Sequence, residues 1–344
     1  MTDWGEQTIT LAHGAGGKAM RDLIQKLFVE GFDNEHLSTL EDQARFDLSA
    51  LMAQGTQLAM TTDSYVVDPL FFAGGDIGKL AVTGTVNDLA MSGAIPLYLT
   101  CGMILEEGFP IKDLAKIVAS MKATADAAGV KIVTGDTKVV HKGAADKVFI
   151  NTAGLGVIPA GVNISAANAQ VGDVVIINGF IGDHGAAIVD ARGELALESS
   201  VLSDCQPLND LVQAMLKVCP DIHCMRDATR GGVATVLNEF AHSSGVGIRI
   251  EQSSLPIREE VRGVCELLGL DPLYLANEGK LVAVVPKDKA AQVLEVMLAH
   301  PNGDNSAIIG EVLAAPKGKV LLKTGFGGER LLDVLVGEQL PRIC

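Results

Sequence analysis

Residues 111–138, IKDLAKIVASMKATADAAGVKIVTGDTK, contain the clearest structural pattern in the chain. Apolar residues recur at three- and four-residue steps from Ile111 to Ala128, which is typical of an amphipathic helix. Gly129 is placed to end that helix, and residues 130–134 then read as a buried strand. A helix that leads through glycine into a strand predicts an α/β arrangement.

Four residues, GDTK at 135–138, follow directly on the predicted strand. They would bring Asp136, Thr137 and Lys138 to the carboxyl end of the strand. Such groups suit a magnesium nucleotide, because an acid can bind the metal and a lysine can bind phosphate. A polar turn with a surface ion pair fits the same residues, so both interpretations stay open.

The N-terminal segment contains a glycine-rich stretch, LAHGAGGK at residues 11–18, before a helical pattern. Glycines such as Gly16 and Gly17 allow a backbone to approach a phosphate closely. The G-x-x-x-x-G-K-S/T spacing of a phosphate loop is absent, however. A flexible linker and a phosphate lid are both compatible with this stretch.

Between these two stretches, residues 57–62 predict a short strand and residues 76–93 predict a helix of small residues that can pack closely. Asp88 lies inside that helix. A carboxylate on an apolar helix is unfavourable to bury without a cation or hydrogen bonds. This argument favours a functional role for Asp88 over a solvated one.

The second half of the chain follows a connection rich in alanine, asparagine and glycine at residues 159–170. Its segment with the most candidate binding residues is RDATRGGV at 226–233, which precedes a predicted helix. An acid, two arginines and a glycine pair at a helix start can hold metal and phosphate together. Salt bridges from Arg226 and Arg230 to Asp227 are the structural alternative.

Two further places carry acids or thiols. Glu278 precedes the predicted strand at 281–285 and is a candidate general base or metal ligand, or else a surface acid.

Cys219 and Cys224 flank His223, which suggests a metal site. Without a fourth ligand nearby, a loop with unpaired cysteines is the simpler interpretation.

Composition narrows the class of protein. The 344 residues suggest about two domains, and 38 glycines with only 4% aromatic residues indicate close backbone packing in an α/β or α+β protein. A net charge of −15 argues against nucleic acid or anionic membrane as a partner, because both attract basic surfaces. Six scattered cysteines, with no recognisable secretion signal or membrane span, lead us to expect a cytoplasmic protein.

The last six residues, QLPRIC at 339–344, place a thiol on a short chain end. The thiolate is the most nucleophilic protein group near neutral pH. Pro341 keeps Leu340 out of the helical region, so we expect an extended end. From Gly337 onward the segment could reach roughly 25 Å. Either Cys344 travels between a catalytic cleft and a partner's active site, or the segment is an ordinary frayed terminus.

Together these motifs resemble, in identity and order, those of the HypE family, the carbamoyl dehydratases of nickel–iron hydrogenase maturation. The wider group is the aminoimidazole-ribonucleotide-synthetase-like superfamily. The resemblance spans the whole chain and is carried by LAHGAGG (11–17), TDSY (62–65), ND (87–88), GDTK (135–138), RDATRGG (226–232), ANEG (276–279) and PRIC (341–344). One departure is EDQ at 41–43, where relatives often carry paired aspartates, so a metal role for Asp42 stays open.

The resemblance implies a two-domain fold, α/β plus α+β. It divides the chain into an ATP-binding and dimerisation domain (1–160), a C-terminal α+β domain (161–336) and a flexible tail (337–344). The N-terminal domains of two copies are expected to pair into a shared β-barrel. ATP and Mg²⁺ are expected in the cleft between the two domains.

The resemblance also implies an activity. The carbamoyltransferase HypF places a carbamoyl group on the Cys344 sulfur, ATP phosphorylates the amide oxygen, and loss of phosphate and a proton leaves a thiocyanate. The cyanide then passes to iron on a HypC–HypD scaffold. The implied residues are catalytic Cys344, Glu278 and Lys138; ATP-binding Asn87, Asp136, Thr137, Lys138, Arg230, Gly16 and Gly17; and metal-binding Asp63, Asp88 and Asp227, with Asp136 as a further metal candidate.

Two other functions stay open. An ATP-using enzyme similar to selenophosphate synthetase would carry a reactive residue near the glycine-rich loop, whereas the first cysteine here is Cys101. A nucleotide-dependent scaffold for maturation partners would need no chemistry at Cys344.

Overall fold

The computed structural model describes residues 4–193, 201–337 and 340–344, so Gln339 and part of the predicted loop at 193–206 lie outside the described residues. The strands of the first half are β1 (Gln57–Tyr65), β2 (Phe71–Phe72), β3 (Gly75–Asp76), β4 (Ile95–Glu106), β5 (Lys131–Val140) and β6 (Val148–Ile158). Its helices are α1 (Lys18–Leu23), α2 (Glu30–Phe32), α3 (Leu48–Met52), α4 (Ile77–Met91) and α5 (Ile111–Ala128), and the π-helical turn Ile24–Val29 joins α1 to α2.

The second half contains more strands, which are shorter. They are β7 (Val174–Ile177), β8 (Cys224–Asp227), β9 (Gly247–Glu251), β10 (Leu281–Val285), β11 (Ala307–Leu313), β12 (Lys319–Lys323) and β13 (Glu329–Leu332). The helices are α6 (Asp183–Ala191), α7 (Asn209–Val218), α8 (Gly232–Ser244), α9 (Glu259–Leu268) and α10 (Ala290–Leu298).

The strands form two main sheets. The first has the order β1-β6-β4-β5, and β4 and β5 run parallel while the other pairs are antiparallel. The second has the order β13-β12-β9-β11-β7-β10-β8, with β12 and β9 as its parallel pair. A mixed α/β half followed by an α+β half agrees with the fold class that the sequence predicts.

The predicted helix at 111–128 is confirmed as α5. Ile111, Leu114 and Met121 on its apolar face are buried in the core of the first half. Gly129 ends the helix with a left-handed φ of 70°, a conformation that glycine adopts without a steric penalty.

The predicted end of the following strand is wrong. Residues 135–138 continue β5 instead of forming a turn beyond it, and they pair with residues 101–104 of β4. A Cβ atom at Gly135 would overlap the carbonyl oxygen of Cys101, so this glycine permits the close approach of two strands. The ladder of backbone hydrogen bonds therefore outweighs the turn preference of the GDTK sequence.

The close packing predicted for the helix of small residues is confirmed by α4. A Cβ atom at Gly84 would overlap the Tyr65 hydroxyl, and one at Gly78 would lie 2.5 Å from the carbonyl oxygen of Ile117. Small residues thus let α4 lie directly on β1 and on α5. The first sheet is covered on this face by the two helices.

The opposite face of the first sheet is open and partly apolar. Leu58 and Met60 of β1 are 55% and 77% exposed, and Ile104 of β4 is 43% exposed. We call these three residues the outer apolar patch. No helix among the described residues has both the length and the apolar character that a bilayer span requires.

Candidate functional site

A buried acid lies at the centre of the site. Glu278 is in the loop between the turn Pro272–Tyr274 and β10, and only 3% of it is exposed. Within the described part of the chain its Oε1 atom has no hydrogen-bond partner. Burial, followed by the charges of Asp204 and Asp227, holds the pKa of Glu278 well above that of an ordinary carboxyl group. The charged form of Glu278 is therefore disfavoured more than that of an exposed carboxyl group.

Asp204 holds the loop that carries this acid. Its carboxylate accepts hydrogen bonds from the backbone N–H groups of Glu278 (3.0 Å) and Gly279 (3.2 Å). The same carboxylate forms a buried ion pair with Lys280 at 3.4 Å. A Cβ atom at Gly279 would overlap the Asp204 carbonyl oxygen, so glycine is required there. These contacts fix the position of the Glu278 backbone.

The C-terminal segment, residues 340–344, is docked against the first half instead of being frayed. The Val66 N–H donates to the Cys344 carbonyl oxygen at 3.1 Å, and the Asp68 N–H donates to the Arg342 carbonyl oxygen at 3.2 Å. Arg342 has a φ of 51°, so the segment makes a turn where the sequence predicts an extended end. That expectation is wrong because side-chain and backbone contacts of Arg342 hold the turn.

Two arginines anchor this segment. Arg192 donates from Nη2 to the carbonyl oxygens of Pro341 and Arg342, the latter at 3.1 Å. Arg342 in turn donates from Nε to the Val66 carbonyl oxygen at 2.9 Å and pairs with the Asp146 carboxylate. The outer part of the segment is thus held by charged groups that water also reaches.

The Cys344 thiol is influenced by the charge of the buried acid. Burial raises the pKa of the Cys344 thiol to about 12, with further contributions from the charges of Glu278 and Asp63 and an opposing one from Arg230. The group is therefore a protonated thiol in this docked position. An open cavity of about 900 Å³ adjoins it, with Arg230, Gly231 and Cys344 among its walls. There is space beside the sulfur for a substituent.

A histidine reaches the same segment from α6. His184 is fully buried, its Nε2 atom lies 2.8 Å from the Ile343 carbonyl oxygen, and its Nδ1 atom lies 2.8 Å from the Ser203 hydroxyl. Burial lowers the pKa of His184, so the ring is neutral at pH 7.

Three predicted metal ligands influence one another across the cleft between the two halves. Asp63 is on β1, Asp88 on α4 and Asp227 at the end of β8. The Thr61 hydroxyl donates to Asp88 at 2.9 Å. Burial raises the pKa of Asp227 to about 7, and the charges of Asp88 and Asp63 add to this. Asp88 and Asp227 border an open cavity of about 940 Å³.

These carboxylates offer the hard oxygen donors that Mg²⁺ prefers, and their mutual repulsion is the kind that a bound cation relieves. In the described part of the chain, no three acid, histidine or cysteine side chains are already close enough to form a metal site. The donor chemistry fits Mg²⁺, therefore, and its role as a ligand set stays a prediction.

The arginines of the RDATRGGV segment do not pair as the structural alternative supposed. Arg226 forms an ion pair with Glu239 at 2.6 Å, and Arg230 lies 3.9 Å from Asp63. Arg230 is thereby aimed at the space between Asp63 and the Cys344 sulfur.

The predicted nucleotide-binding residues of β5 lie elsewhere. Asp136 pairs with Lys138 at 2.6 Å, and both side chains are exposed. By strand register Asp136 shares a row with Ser64, so it faces the open side of the sheet, opposite to Asp63. Three strand spacings, about 14 Å, separate β5 from β1. A single copy of the chain does not bring Lys138 to Glu278.

The β5 residues instead border a cavity near the N-terminal segment. This cavity, of about 810 Å³, has Asp136 and Thr137 in its wall together with apolar side chains such as Phe28 and Ile132. Gly16 and Gly17 line an adjoining cavity of about 540 Å³. The structure thus brings four predicted ATP-binding residues into one neighbourhood.

Asn87 connects the two halves of the molecule. Its amide donates to the carbonyl oxygens of Gln206 and Glu278, and its Oδ1 atom accepts the Leu208 N–H at 2.8 Å. The side chain is 1% exposed, so in this structure it positions the Glu278 loop. Its predicted contact with ATP stays a prediction.

Sequence reasoning did not identify His184, Ser203 and Arg192, which hold the docked segment, or Asp204 and Lys280, which hold the Glu278 loop. Cys219, His223 and Cys224 are not gathered into a group of metal ligands in the described part of the chain; His223 pairs with Asp173 at 2.7 Å, and both thiols are buried.

The fold and the site together define a class of proteins. Residues 41–158 match the family described as AIR synthase related protein, N-terminal domain, and residues 170–323 match its C-terminal domain. The chain is an AIR synthase-related protein with both domains of that class.

Within this class the chain belongs to the HypE carbamoyl dehydratase family. It is 54% identical to carbamoyl dehydratase HypE of Rhodobacter capsulatus over 339 residues, which are 98% of this chain and 99% of that one. A crystal structure of HypE in complex with ATP has 50% identity and a TM-score of 0.93, and covers 98% of this chain and 100% of its own. A crystal structure of a HypE–HypF complex has 50% identity and a TM-score of 0.79, and it covers 91% of this chain and 99% of its own. The resemblance inferred from the motifs is confirmed.

Proposed function

We propose that this protein removes water from a carbamoyl group carried on the Cys344 sulfur, using ATP, and so makes cyanide for hydrogenase maturation. Its relatives are named carbamoyl dehydratases. The observation that carries the proposal is the docked thiol beside Glu278, an acid that is 3% exposed. A thiol that borders a cavity and lies within the electrostatic influence of a buried acid is suited to present a small group for proton transfer.

The atoms of the proposed reaction balance between the carbamoyl group and ATP. In the carbamoyl group, S–C(=O)–NH₂, the oxygen is a poor leaving group until it receives the γ-phosphoryl group of ATP. Loss of the phosphorylated oxygen and of both N–H protons then gives S–C≡N, ADP and phosphate. The protein has to bind the nucleotide, exclude water and take the protons.

We propose that Glu278 accepts one of the two N–H protons, while the other leaves with the phosphate as hydrogen phosphate. Ionised Glu278 is a stronger base than an exposed carboxylate, because its pKa is raised. Arg230 lies on the same side of the sulfur and would face the charge of the phosphorylated oxygen. The Asp204 contacts keep the acid in place.

ATP binding is supported by the related HypE structure in complex with ATP. We propose that Asp63, Asp88 and Asp227 hold Mg²⁺, which would neutralise phosphate charge when bound. We further propose that Gly16, Gly17, Asp136, Thr137 and Lys138 bind the nucleotide, since they border adjoining cavities or, in the case of Lys138, the same strand.

We also propose that two copies of the chain form the complete site. The metal and thiol residues lie on one side of the first sheet, while Asp136 and Lys138 lie on the open side with the outer apolar patch. Burial of that patch against a second copy would bring the two groups of residues together, with residues 1–160 as the dimerising domain.

The partners follow from the same chemistry. A related HypE forms a complex with HypF, and we propose that HypF loads the carbamoyl group onto Cys344 here. A HypC–HypD scaffold would receive the cyanide on iron. The cysteines of the chain are free thiols, which suits a reducing compartment such as the cytoplasm.

The proposal is tested with Cys344→Ala. We expect the variant to bind ATP as the wild type does and to support no cyanide formation in a reconstituted maturation assay. A scaffold without chemistry at this residue would still support maturation, and that result would refute the proposed function.

A further inference from the structure

The hydrogen bonds around His184 join the two reacting parts of the site. The His184 ring contacts the Ile343 carbonyl on one side and the Ser203 hydroxyl on the other, both at 2.8 Å. The Phe72 ring packs edge-on against it, with centroids 5.5 Å apart. Each nitrogen and one ring edge are therefore fixed in a fully buried position.

We propose that His184 is a positioning residue that places the Cys344 sulfur against the Glu278 carboxyl by hydrogen bonding the Ile343 carbonyl oxygen. This inference rests on the proposed function, because it concerns the alignment of the carbamoylated sulfur for dehydration.

The direction of each hydrogen bond follows from the groups involved. A carbonyl oxygen only accepts, so Nε2 carries the hydrogen and Nδ1 accepts from Ser203. The Ser203 oxygen also accepts the Cys205 N–H at 3.2 Å, which leaves the hydroxyl hydrogen for His184. Ser203 thereby fixes the ring in the tautomer that can hold Ile343.

Residues 203–204 also fix the position of the Glu278 loop. Ser203 contacts His184, while its neighbour Asp204 holds the backbone of Glu278 and Gly279. The thiol segment and the acid loop are thus both attached to residues 203–204. A common attachment sets the distance between sulfur and carboxyl, which catalysis by proximity requires.

Two other contacts hold different parts of the segment, and the Val66 N–H donates to the Cys344 backbone oxygen at 3.1 Å without holding the Ile343 carbonyl. Arg192 holds the carbonyl oxygens of Pro341 and Arg342, which are three and two residues before the thiol. The Ile343 carbonyl belongs to the peptide bond that enters Cys344, so its hydrogen bond limits rotation next to the sulfur. Loss of His184 should leave the segment attached but its last residue poorly aligned.

The experiment compares His184→Leu, which removes the donor, with His184→Gln, which keeps one at the Nε2 position. The first readout is the rate of Cys344 alkylation by iodoacetamide, followed by mass spectrometry without any partner or nucleotide. The second is dehydration of the carbamoylated protein on addition of ATP. His141→Leu, an exposed histidine, is the control.

For His184→Leu we expect alkylation about tenfold faster and dehydration about tenfold slower, since one lost buried hydrogen bond is worth about a factor of ten. Carbamoyl loading should not be slower than in the wild type, because a thiol that is held less firmly is at least as accessible to the carbamoyltransferase. His184→Gln should recover most of the dehydration. If His184→Leu does not fold, Ser203→Ala, which frees the tautomer, should shift both readouts in the same directions.

The inference is overturned if Cys344 alkylation and dehydration in the leucine variant match those of the wild type, or if glutamine behaves as leucine does. Failure of the proposed function would give a different experimental result. In that case wild-type protein accepts the carbamoyl group but never loses water with ATP, while the alkylation rates still report whether His184 holds the thiol.

Discussion

At the scale of single residues, the site depends on charge that is hidden from water. Glu278, which is buried, and Asp227, which is half-buried, both have raised pKa values because loss of water contact and neighbouring carboxylates disfavour their charged forms. Glu278 has one oxygen without a partner within the described residues. A protein keeps such groups at the expense of stability where a substrate or a cation later satisfies them.

The pH dependence of dehydration tests the role of Glu278. Since the pKa of Glu278 is raised, its basic form appears at higher pH than that of an exposed carboxyl group, and the rate should rise with pH through that range. Asp204→Asn removes the charge that contributes most after burial, so the rising limb should move to lower pH. Stopped assays across pH would measure this, with exposed Asp304→Asn as the control. An unmoved profile would contradict the assignment.

The stability of the free protein tests the buried charge of Asp227. A folded pKa of about 7 means that wild-type stability is lost as pH rises from about 4 through 7. Asp227→Asn should therefore be more stable than wild type at pH 8, by more than about 1 kcal/mol, and equal to it at pH 4. Urea denaturation without nucleotide or Mg²⁺ measures the difference.

The exposed residue Asp288 provides the matched control for that experiment. Asp288→Asn should have no effect at either pH. Equal stability of Asp227→Asn and wild type at pH 8 would show that Asp227 is solvated, contrary to the structure.

At the scale of helices and strands, small residues determine how closely elements approach. Gly84 of α4 faces Tyr65, whereas Gly263 of α9 has open space around it. Gly84→Ala should therefore destabilise the protein by about 1–3 kcal/mol. Gly263→Ala should stabilise it by about 0.5–1 kcal/mol, because alanine favours the helix. Opposite shifts in thermal denaturation are expected, and shifts of the same sign would contradict this packing.

Sequence patterns predicted elements well where one periodicity dominates. The bounds of α5 and β10 agree with the predicted ones because apolar spacing and flanking glycine or charge point to the same residues. The end of β5 was misplaced because GDTK has turn-like residues, while its actual conformation is set by pairing with β4. Local sequence does not contain that distant partner.

Local sequence was also insufficient to predict the residues whose roles in the site depend on distant contacts. Glu278, Cys344 and the acids were visible as unusual residues next to strands or at a chain end. His184 and Asp204 were not, because their roles come from contacts across more than seventy positions of sequence. The attachment of the C-terminal segment through Arg192 could not be predicted for the same reason.

At the scale of the whole molecule, the outer apolar patch tests the need for a second copy. Met60 is 77% exposed in a single chain and pairs with Leu155 on the open face of the first sheet. Met60→Asp should give monomers in sedimentation experiments and should lose ATP-dependent dehydration, because Lys138 would no longer reach the site of another chain.

A matched control is Phe326→Asp, an apolar residue that is fully exposed in the second half of the chain. This variant should keep the oligomeric state and the activity of wild type. A wild-type protein that is monomeric and active would contradict the two-copy site while leaving the chemistry at Cys344 intact.

The central claim is that the Cys344 sulfur carries a carbamoyl group that is dehydrated beside Glu278. Intact-mass spectrometry of protein treated with carbamoyltransferase, carbamoyl phosphate and then ATP tests it most directly. We predict addition of one carbamoyl group at Cys344, followed by loss of one water in wild type but not in Glu278→Gln. Addition at another cysteine, or no loss of water in wild type, would contradict the claim.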